Sequence, residues 1–299
     1  MLKVSHISKN YDDIKAVDDL SFEVKEGEIF GLLGVNGAGK TTTFRMIVGL
    51  LDKDQGTITL NGKPIDYSLT DKIGFLTEER SLLLKLTVKE QVYYYGSLKG
   101  MDKKTIEEKL NYWLKRLHME EFKNKRLKEL SKGNQQKVQF ITSIINNPKL
   151  LILDEPFTSL DPFNVSLLVD ILNEFSKKGM IIIFSSHRME HVEMFCKRLL
   201  ILVKGKSIIE GELKQIKKDY RKKNIHISGD VNKEDFKNIE GVDSIHSTSD
   251  EIIVTVLDNS SISNVFEIIK KKKNITKFVV EDPTLDEIFV SMVGDVYDK

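Results

Sequence analysis

The amino-acid sequence predicts an α/β domain built on a largely parallel sheet, with an all-helical insert, followed by a small α+β domain. Three observations carry that reading. Continuous apolar runs, Ile29–Leu33, Leu150–Leu153, Met180–Phe184 and Leu199–Val203, have the length and character of strands buried on both faces. Helical patterns lie between such runs, as the crossovers of a parallel sheet require. Beyond residue 224 the order becomes strand, helix, strand, strand, helix, strand, helix, which suits a ferredoxin-like domain.

The elements follow in chain order. Ile29–Leu33 is bounded by Gly27 and Gly34 and precedes a helical stretch, Thr41–Leu50. Gly56–Leu60 is strand-like and stops at the turn Asn61-Gly62. Thr87 and Glu90 have capping-box spacing and open a helix over Val88–Leu98. Ile106, Leu110, Trp113, Leu114 and Leu117 recur at helical spacing, which assigns Trp113 to a core. A third helix is expected over Asn134–Asn146, before Pro148, so the insert covers about 87–148. Phe163–Lys178 stops at Gly179, a good helix C-terminus. Lys214, Lys217, Lys218, Arg221, Lys222 and Lys223 then form a basic stretch, read as a solvated helix face in preference to a surface for phosphates or anionic lipid, and a linker is expected over 216–224. The last domain, 225–299, should hold strands Ile225–Ser228, Val242–His246, Ile252–Val256 and Thr276–Val280. Its helices are expected over Lys233–Ile239 and Ile262–Lys271, with a terminal helix over Leu285–Met292 after Pro283.

Composition narrows the function. Lys+Arg is 46 and Asp+Glu 45, a net charge of +1, so nothing favours a polyanion and no nucleic acid is expected as partner. The apolar runs fall far short of the roughly 18 residues that suggest a membrane span, and the N-terminus has no continuous apolar stretch of the signal-peptide kind. Cys196 is the single cysteine, which excludes an internal disulfide and a cysteine metal site and leaves a small buried residue. A cytoplasmic protein is expected, with any membrane role exercised through a partner.

Gly34-Val35-Asn36-Gly37-Ala38-Gly39-Lys40-Thr41 fits the phosphate-binding pattern G-x-x-x-x-G-K-[ST]. Glycines let the backbone curl so that its N–H groups face phosphate oxygens; Lys40 can reach the β- and γ-phosphates, and Thr41 can ligate Mg²⁺. Four specified positions match by accident in roughly one chain of this length in a hundred. The preceding strand and following helix therefore carry the assignment. Leu150–Leu153 ends in Asp154-Glu155: an Asp there can hold Mg²⁺, and the next Glu can activate the water that attacks the γ-phosphate.

Over residues 1 to about 215 these motifs make the chain resemble the ATP-binding subunits of ABC transporters. The resemblance implies a P-loop NTPase core with an N-terminal antiparallel β subdomain, and an ATPase. Tyr11 stands where the family stacks an aromatic ring on adenine, and Thr42 extends the phosphate loop. Leu130-Ser131-Lys132-Gly133-Asn134-Gln135-Gln136 resembles the signature written LSGGQ; it departs at Lys132 and Asn134 and keeps Ser131 and Gly133. Pro156–Asp161 resembles the loop that ends in Asp161, and His187 occupies the place of the γ-phosphate-sensing histidine. Val35 replaces a common Pro. Ile73–Arg80 stands in the place of the glutamine loop, with Glu78 where Gln is expected, as a catalytic and metal-facing carboxylate. With the C-terminal extension and Pro283–Phe289, this resembles the bacterial subgroup serving ABC-2-type export permeases, including sodium-efflux-like members.

The resemblance implies a head-to-tail dimer, most simply a homodimer, that sandwiches ATP and Mg²⁺ between the phosphate loop of one chain and Ser131/Gly133 of the other. It implies a separate membrane permease and a place at the cytoplasmic face of the cell membrane. A soluble ABC ATPase acting on ribosomes or DNA is the alternative. The C-terminal domain is read as support or shielding for the dimer, with ligand sensing as its alternative.

Overall fold

The computed structural model describes residues 1–79 and 81–297, and it forms two units, Met1–Glu210 and Gly211–Lys299. The first unit holds β1 (Leu2–Tyr11), β2 (Ile14–Val24), β3 (Ile29–Leu33), α1 (Lys40–Ile47), β4 (Gln55–Leu60), β5 (Lys63–Pro64) and β6 (Ile73–Leu76). There follow α2 (Val88–Leu98), α3 (Lys103–Arg116), α4 (Lys132–Ile144), β7 (Leu150–Asp154), α5 (Pro162–Lys177), β8 (Ile181–Ser186), α6 (Met189–Phe195), β9 (Arg198–Val203) and β10 (Lys206–Glu212).

A six-stranded sheet in the order β10-β9-β3-β8-β7-β6 forms the middle of this unit. The pairs from β9 through to β6 are parallel. Every residue of β3, β7 and β8 is buried, as uninterrupted apolar runs require of strands covered on both faces. A four-stranded antiparallel sheet, β2-β1-β4-β5, contributes Leu2, Val4, Ile7, Leu20 and Phe22 to the same core as α1. In the insert, the capping box predicted for α2 is present: Thr87 Oγ1 accepts from Glu90 N–H (3.2 Å), and Glu90 Oε2 accepts from Thr87 N–H (2.8 Å). Trp113 is buried and meets the Phe175 ring edge-on at 5.7 Å. Cys196 is buried too; burial pushes its thiol up to about 12, so it stays neutral.

The second unit begins with α7 (Leu213–Asp219), then β11 (Lys223–Ser228), β12 (Val242–Ser247), β13 (Ile252–Val256), α8 (Asn259–Ile269), β14 (Lys277–Glu281) and α9 (Leu285–Tyr297). The residues read as a linker, 216–224, are therefore the end of α7 and the start of β11, and the boundary lies earlier, at Gly211. Buried Ile216 anchors α7, a signal hidden among lysines. The sheet order β12-β13-β11-β14, antiparallel at each junction, is the ferredoxin-like one. The first expected helix, Lys233–Ile239, shrinks to a 3₁₀ turn, Lys233–Asp235. There Asp235 turns back to accept from Asn232 N–H (2.9 Å), and Phe236 drops into the core. Glu287 explains the Pro283–Phe289 motif. It accepts from Thr284 N–H at the start of α9 (2.8 Å), and both its oxygens accept from Asn224 Nδ2 on β11 (2.8 Å each).

Candidate functional site

Strand β3 ends in the loop 34–39, which feeds α1. Gly39 lies in the left-handed region at φ 106°, and a Cβ there would sit 2.3 Å from the Ala16 carbonyl oxygen of β2, so no other residue fits. The loop is thereby pressed against the β1–β2 hairpin, whose tip carries Tyr11, 45% exposed. Lys40, only 8% exposed, folds back to donate to the Gly34 and Val35 carbonyls (2.7 and 3.1 Å). Burial lowers its pKa, opposed by the carboxylates of Glu155, Asp154 and Glu78. Asn36 and Gly37 stay exposed at the crest of the loop, whereas Ala38 is buried.

The carboxylate pair at the end of β7 is held by three hydrogen bonds with two residues. Thr41 Oγ1 donates to Asp154 Oδ2 (2.9 Å), and Ser185 Oγ donates to Asp154 Oδ1 (2.6 Å) while accepting from Glu155 N–H (3.1 Å). Residues 113 apart in sequence thus meet at one carboxylate. Glu155 turns the chain with φ 51°, a conformation a side chain adopts at a cost of about 1 kcal/mol. It is 7% exposed. Burial raises its pKa and the neighbouring Asp154 charge adds to this; the His187 hydrogen bond and Lys40 oppose it. His187, mostly exposed, sets Nδ1 2.9 Å from Glu155 Oε2. A buried carboxylate of raised pKa held against an imidazole has the properties of a general base.

Glu78 and Glu79 line a cleft of about 370 Å³ with Thr41, Arg45, Phe75, Thr77, Ser81 and Asp154. Glu78 therefore faces the same opening as Thr41 and Asp154. Arg80, the end of the segment read as the glutamine loop, lies outside the described residues. Among the described residues no three His, Cys, Asp or Glu side chains form a metal cage. The donors present are a hydroxyl and carboxylates, hard oxygens that suit Mg²⁺, an ion that usually completes its shell with substrate phosphates and water.

Ser131, Gly133 and Asp161 are gathered elsewhere, with Lys132, Asn134, Ser159, Leu160 and Asn164, around a second opening that includes no residue of the phosphate loop. Helix α4 starts two residues before the sequence suggests, so Ser131 is its N-cap and accepts from Asn134 N–H (3.2 Å). Asp161 caps α5 the same way, accepting from Asn164 N–H (2.9 Å). Gly133 sits where a Cβ would come within 2.9 Å of the Ser159 carbonyl oxygen.

The motifs assign no role to two residues of α4, although Gln136 stands within the signature stretch. Gln136 Nε2 donates to the Pro156 carbonyl (3.1 Å), directly after Glu155. Gln139 Nε2 donates to the Thr77 carbonyl and hydroxyl (2.8 and 3.1 Å), directly before Glu78. Both side chains are buried. The helix capped by Ser131 is thus fastened to the segments that carry Glu78 and Glu155. The signal is amides at positions i and i+3 on a helix face otherwise destined for the core.

Comparison with known proteins places the chain in a family. Residues 17–158 match the ABC transporter family, and residues 211–293 match the C-terminal domain of DrrA1-3-like ATP-binding proteins. The Bacillus subtilis ABC transporter ATP-binding protein YhaQ is 45% identical over 298 residues, covering 100% of both chains. Nod factor export ATP-binding protein I of Rhizobium etli is 40% identical over 210 residues, 69% of this chain and 66% of its own. Among solved structures, a dimeric post-hydrolysis ATP-binding cassette bound to ADP and Pi superimposes with a TM-score of 0.65 at 26% identity, covering 71% of this chain and 99% of that one. With a phosphate loop, an adjoining carboxylate pair and full-length similarity of this order, the chain belongs to the ATP-binding proteins of ABC transporters and is an ATPase.

Proposed function

We propose that the chain powers an ABC-2-type export permease as one half of an ATP-closed dimer. The carrying observation is the division of site residues between two separate openings. One opening has Thr41, Asp154 and Glu78 around it, with Lys40, Glu155 and His187 beside them; the other has Ser131, Gly133 and Asp161. Each is half of a site, and a head-to-tail pair of chains completes both. Tyr11 stacks on adenine, backbone amides of 34–42 hold phosphates, and Lys40 leaves its carbonyl partners for the β- and γ-phosphates. Thr41 and Asp154, with Glu78 nearby, hold Mg²⁺, which neutralises phosphate charge when bound. Glu155 accepts a proton from the attacking water, and His187 keeps its carboxylate aimed. The Ser131 hydroxyl and the N-terminal amides of α4 face the γ-phosphate of the opposite chain. Loss of that phosphate removes the bridge and the dimer reopens.

Export is supported by the relative named for Nod factor export and by the DrrA-like C-terminal domain. No helix among the described residues is long and apolar enough to cross a membrane, which fits a subunit working at the cytoplasmic face of the cell membrane through a permease. Two experiments test this. Glu155→Gln protein should retain ATP through gel filtration, and adding Ser131→Arg should abolish retention; retention unaffected by Ser131→Arg contradicts the shared site. Affinity purification from membranes should bring down an integral membrane permease, whereas recovery of ribosomal RNA in its place overturns the export reading.

A further inference from the structure

The two edges of the C-terminal sheet are built differently. On β12 the register slips between Val242 and Ser244, and Asp243 is engaged by Lys222 Nζ at 2.8 Å. A bulge and a charge of this kind guard an edge against pairing. On the opposite edge, β14 runs in unbroken register against β11, from Asn224↔Glu281 to Ser228↔Lys277. Its Val279 and Val280 are 38% and 39% exposed, one on each face, and no strand among the described residues pairs with its outer side.

The sequence of β14 is Lys-Phe-Val-Val-Glu, which is complementary to itself read backwards. We propose that β14 is a two-fold interface at which a second copy of this chain adds its own β14, joining two C-terminal sheets into one. In an antiparallel pairing centred on Val279, Lys277 of each copy lies opposite Glu281 of the other. Phe278 lies opposite Val280, and Val279 faces itself on the axis. Directly opposed residues come within about 4.5–5.5 Å, and opposite charges at that spacing stabilise the pair. No other register pairs both charges, and a parallel pairing would set Lys on Lys and Glu on Glu. Lys277 Nζ already contacts Glu251 Oε2 at 2.6 Å, and an ammonium has donors enough for a second carboxylate. Glu281 is largely exposed, with its Oε2 3.8 Å from His226 Nε2, and is available to it. On the other face Phe278 meets the partly exposed Phe266 of α8 at 5.3 Å, extending the apolar strip that Val280 of the second copy would cover.

This contact needs no nucleotide, so its test is separate from that of the ATP sandwich. Full-length, nucleotide-free Val279→Cys protein under mild oxidation should form a disulfide-linked dimer, because residues opposed across the axis lie within disulfide reach. Cys196 is buried and neutral and does not compete. Val280→Cys places its thiol opposite Phe278 and should stay unlinked. In sedimentation equilibrium, Glu281→Lys should weaken the dimer about tenfold by setting two like-charge pairs face to face, and Lys277→Glu in the same chain should restore it. A Val279→Cys protein that remains unlinked, equal cross-linking of Val280→Cys, or a dissociation constant unmoved by the charge variants overturns the proposal.

Discussion

The two openings of the first unit differ in how their polar groups are held. Around Asp154 and Glu155 the partners come from distant segments: Lys40 and Thr41 follow β3, Ser185 and His187 lie at the end of β8, and Lys40 and Ser185 are buried. Around Ser131 and Asp161 the side-chain bonds are local, each cap serving an N–H three residues on, at the surface. The first arrangement holds charged groups out of water at a cost in stability and is prepared for chemistry. The second is cheap to form, and its exposed helix start is free to receive a group from outside.

The difference can be broken from its buried side first. Lys40→Ala should abolish measurable ATP binding and hydrolysis, because it removes the charge set against the phosphates; a folded mutant with wild-type affinity in equilibrium dialysis contradicts the assignment. Glu155→Gln should slow single-turnover hydrolysis by about a hundredfold or more, as expected for loss of a general base, with ATP affinity retained. It should also make the nucleotide-free protein more stable near neutral pH. Burial raises the folded-state pKa of Glu155, so its favourable contribution is full below the unfolded pKa and lost as pH rises through the raised value. Calorimetry should therefore show Glu155→Gln melting higher than the wild type at pH 7.5, with the gap closing as pH falls below the usual glutamate range. A gap that widens in acid would reverse the sign.

Smaller effects sharpen the comparison. Gln139→Leu keeps a side chain of similar size in the helix but unpairs carbonyls of the Thr77–Glu79 turn, a cost of about 1–3 kcal/mol. Turnover should fall about tenfold, and more Mg²⁺ should be needed for half-maximal hydrolysis, with the ATP dissociation constant unmoved. If Gln139 serves packing alone, the Mg²⁺ titration will overlay that of the wild type. Glu78→Gln should give the smallest change, a shift in Mg²⁺ dependence with ATP binding intact; superimposable titrations would remove Glu78 from the metal's surroundings.

Legibility in the sequence follows the same divide. The apolar strands β3, β7, β8 and β9 and the phosphate loop are local patterns, and each was readable to within a residue or two. The helix α2 was readable to its ends because its capping box is written in two side chains. The turn at Lys233–Asp235 was not, since the choice between a short helix and one turn depends on where Phe236 finds its core. The start of α4 shifted for a related reason: a Ser cap is visible only once Lys132 and Gly133 are accepted as helical despite Gly133. Gln136 and Gln139 were invisible because their meaning lies in the carbonyls they reach, in segments 20 and 62 residues away. The edge strand β14 was readable as a strand, while its position at an edge is a property of the sheet order.

The most direct test of the central claim uses two broken halves. Lys40→Ala and Ser131→Arg chains, differently tagged, are co-expressed and the mixed pair is isolated through both tags. In that pair one site keeps Lys40 from one chain and Ser131 from the other, and the second site loses both. Each homogeneous variant should be inactive, and the mixed pair should hydrolyse ATP at least about tenfold faster than either, as one restored set of phosphate contacts requires. A mixed pair as inactive as its parents, or a homogeneous Ser131→Arg protein with wild-type turnover, would contradict the shared site.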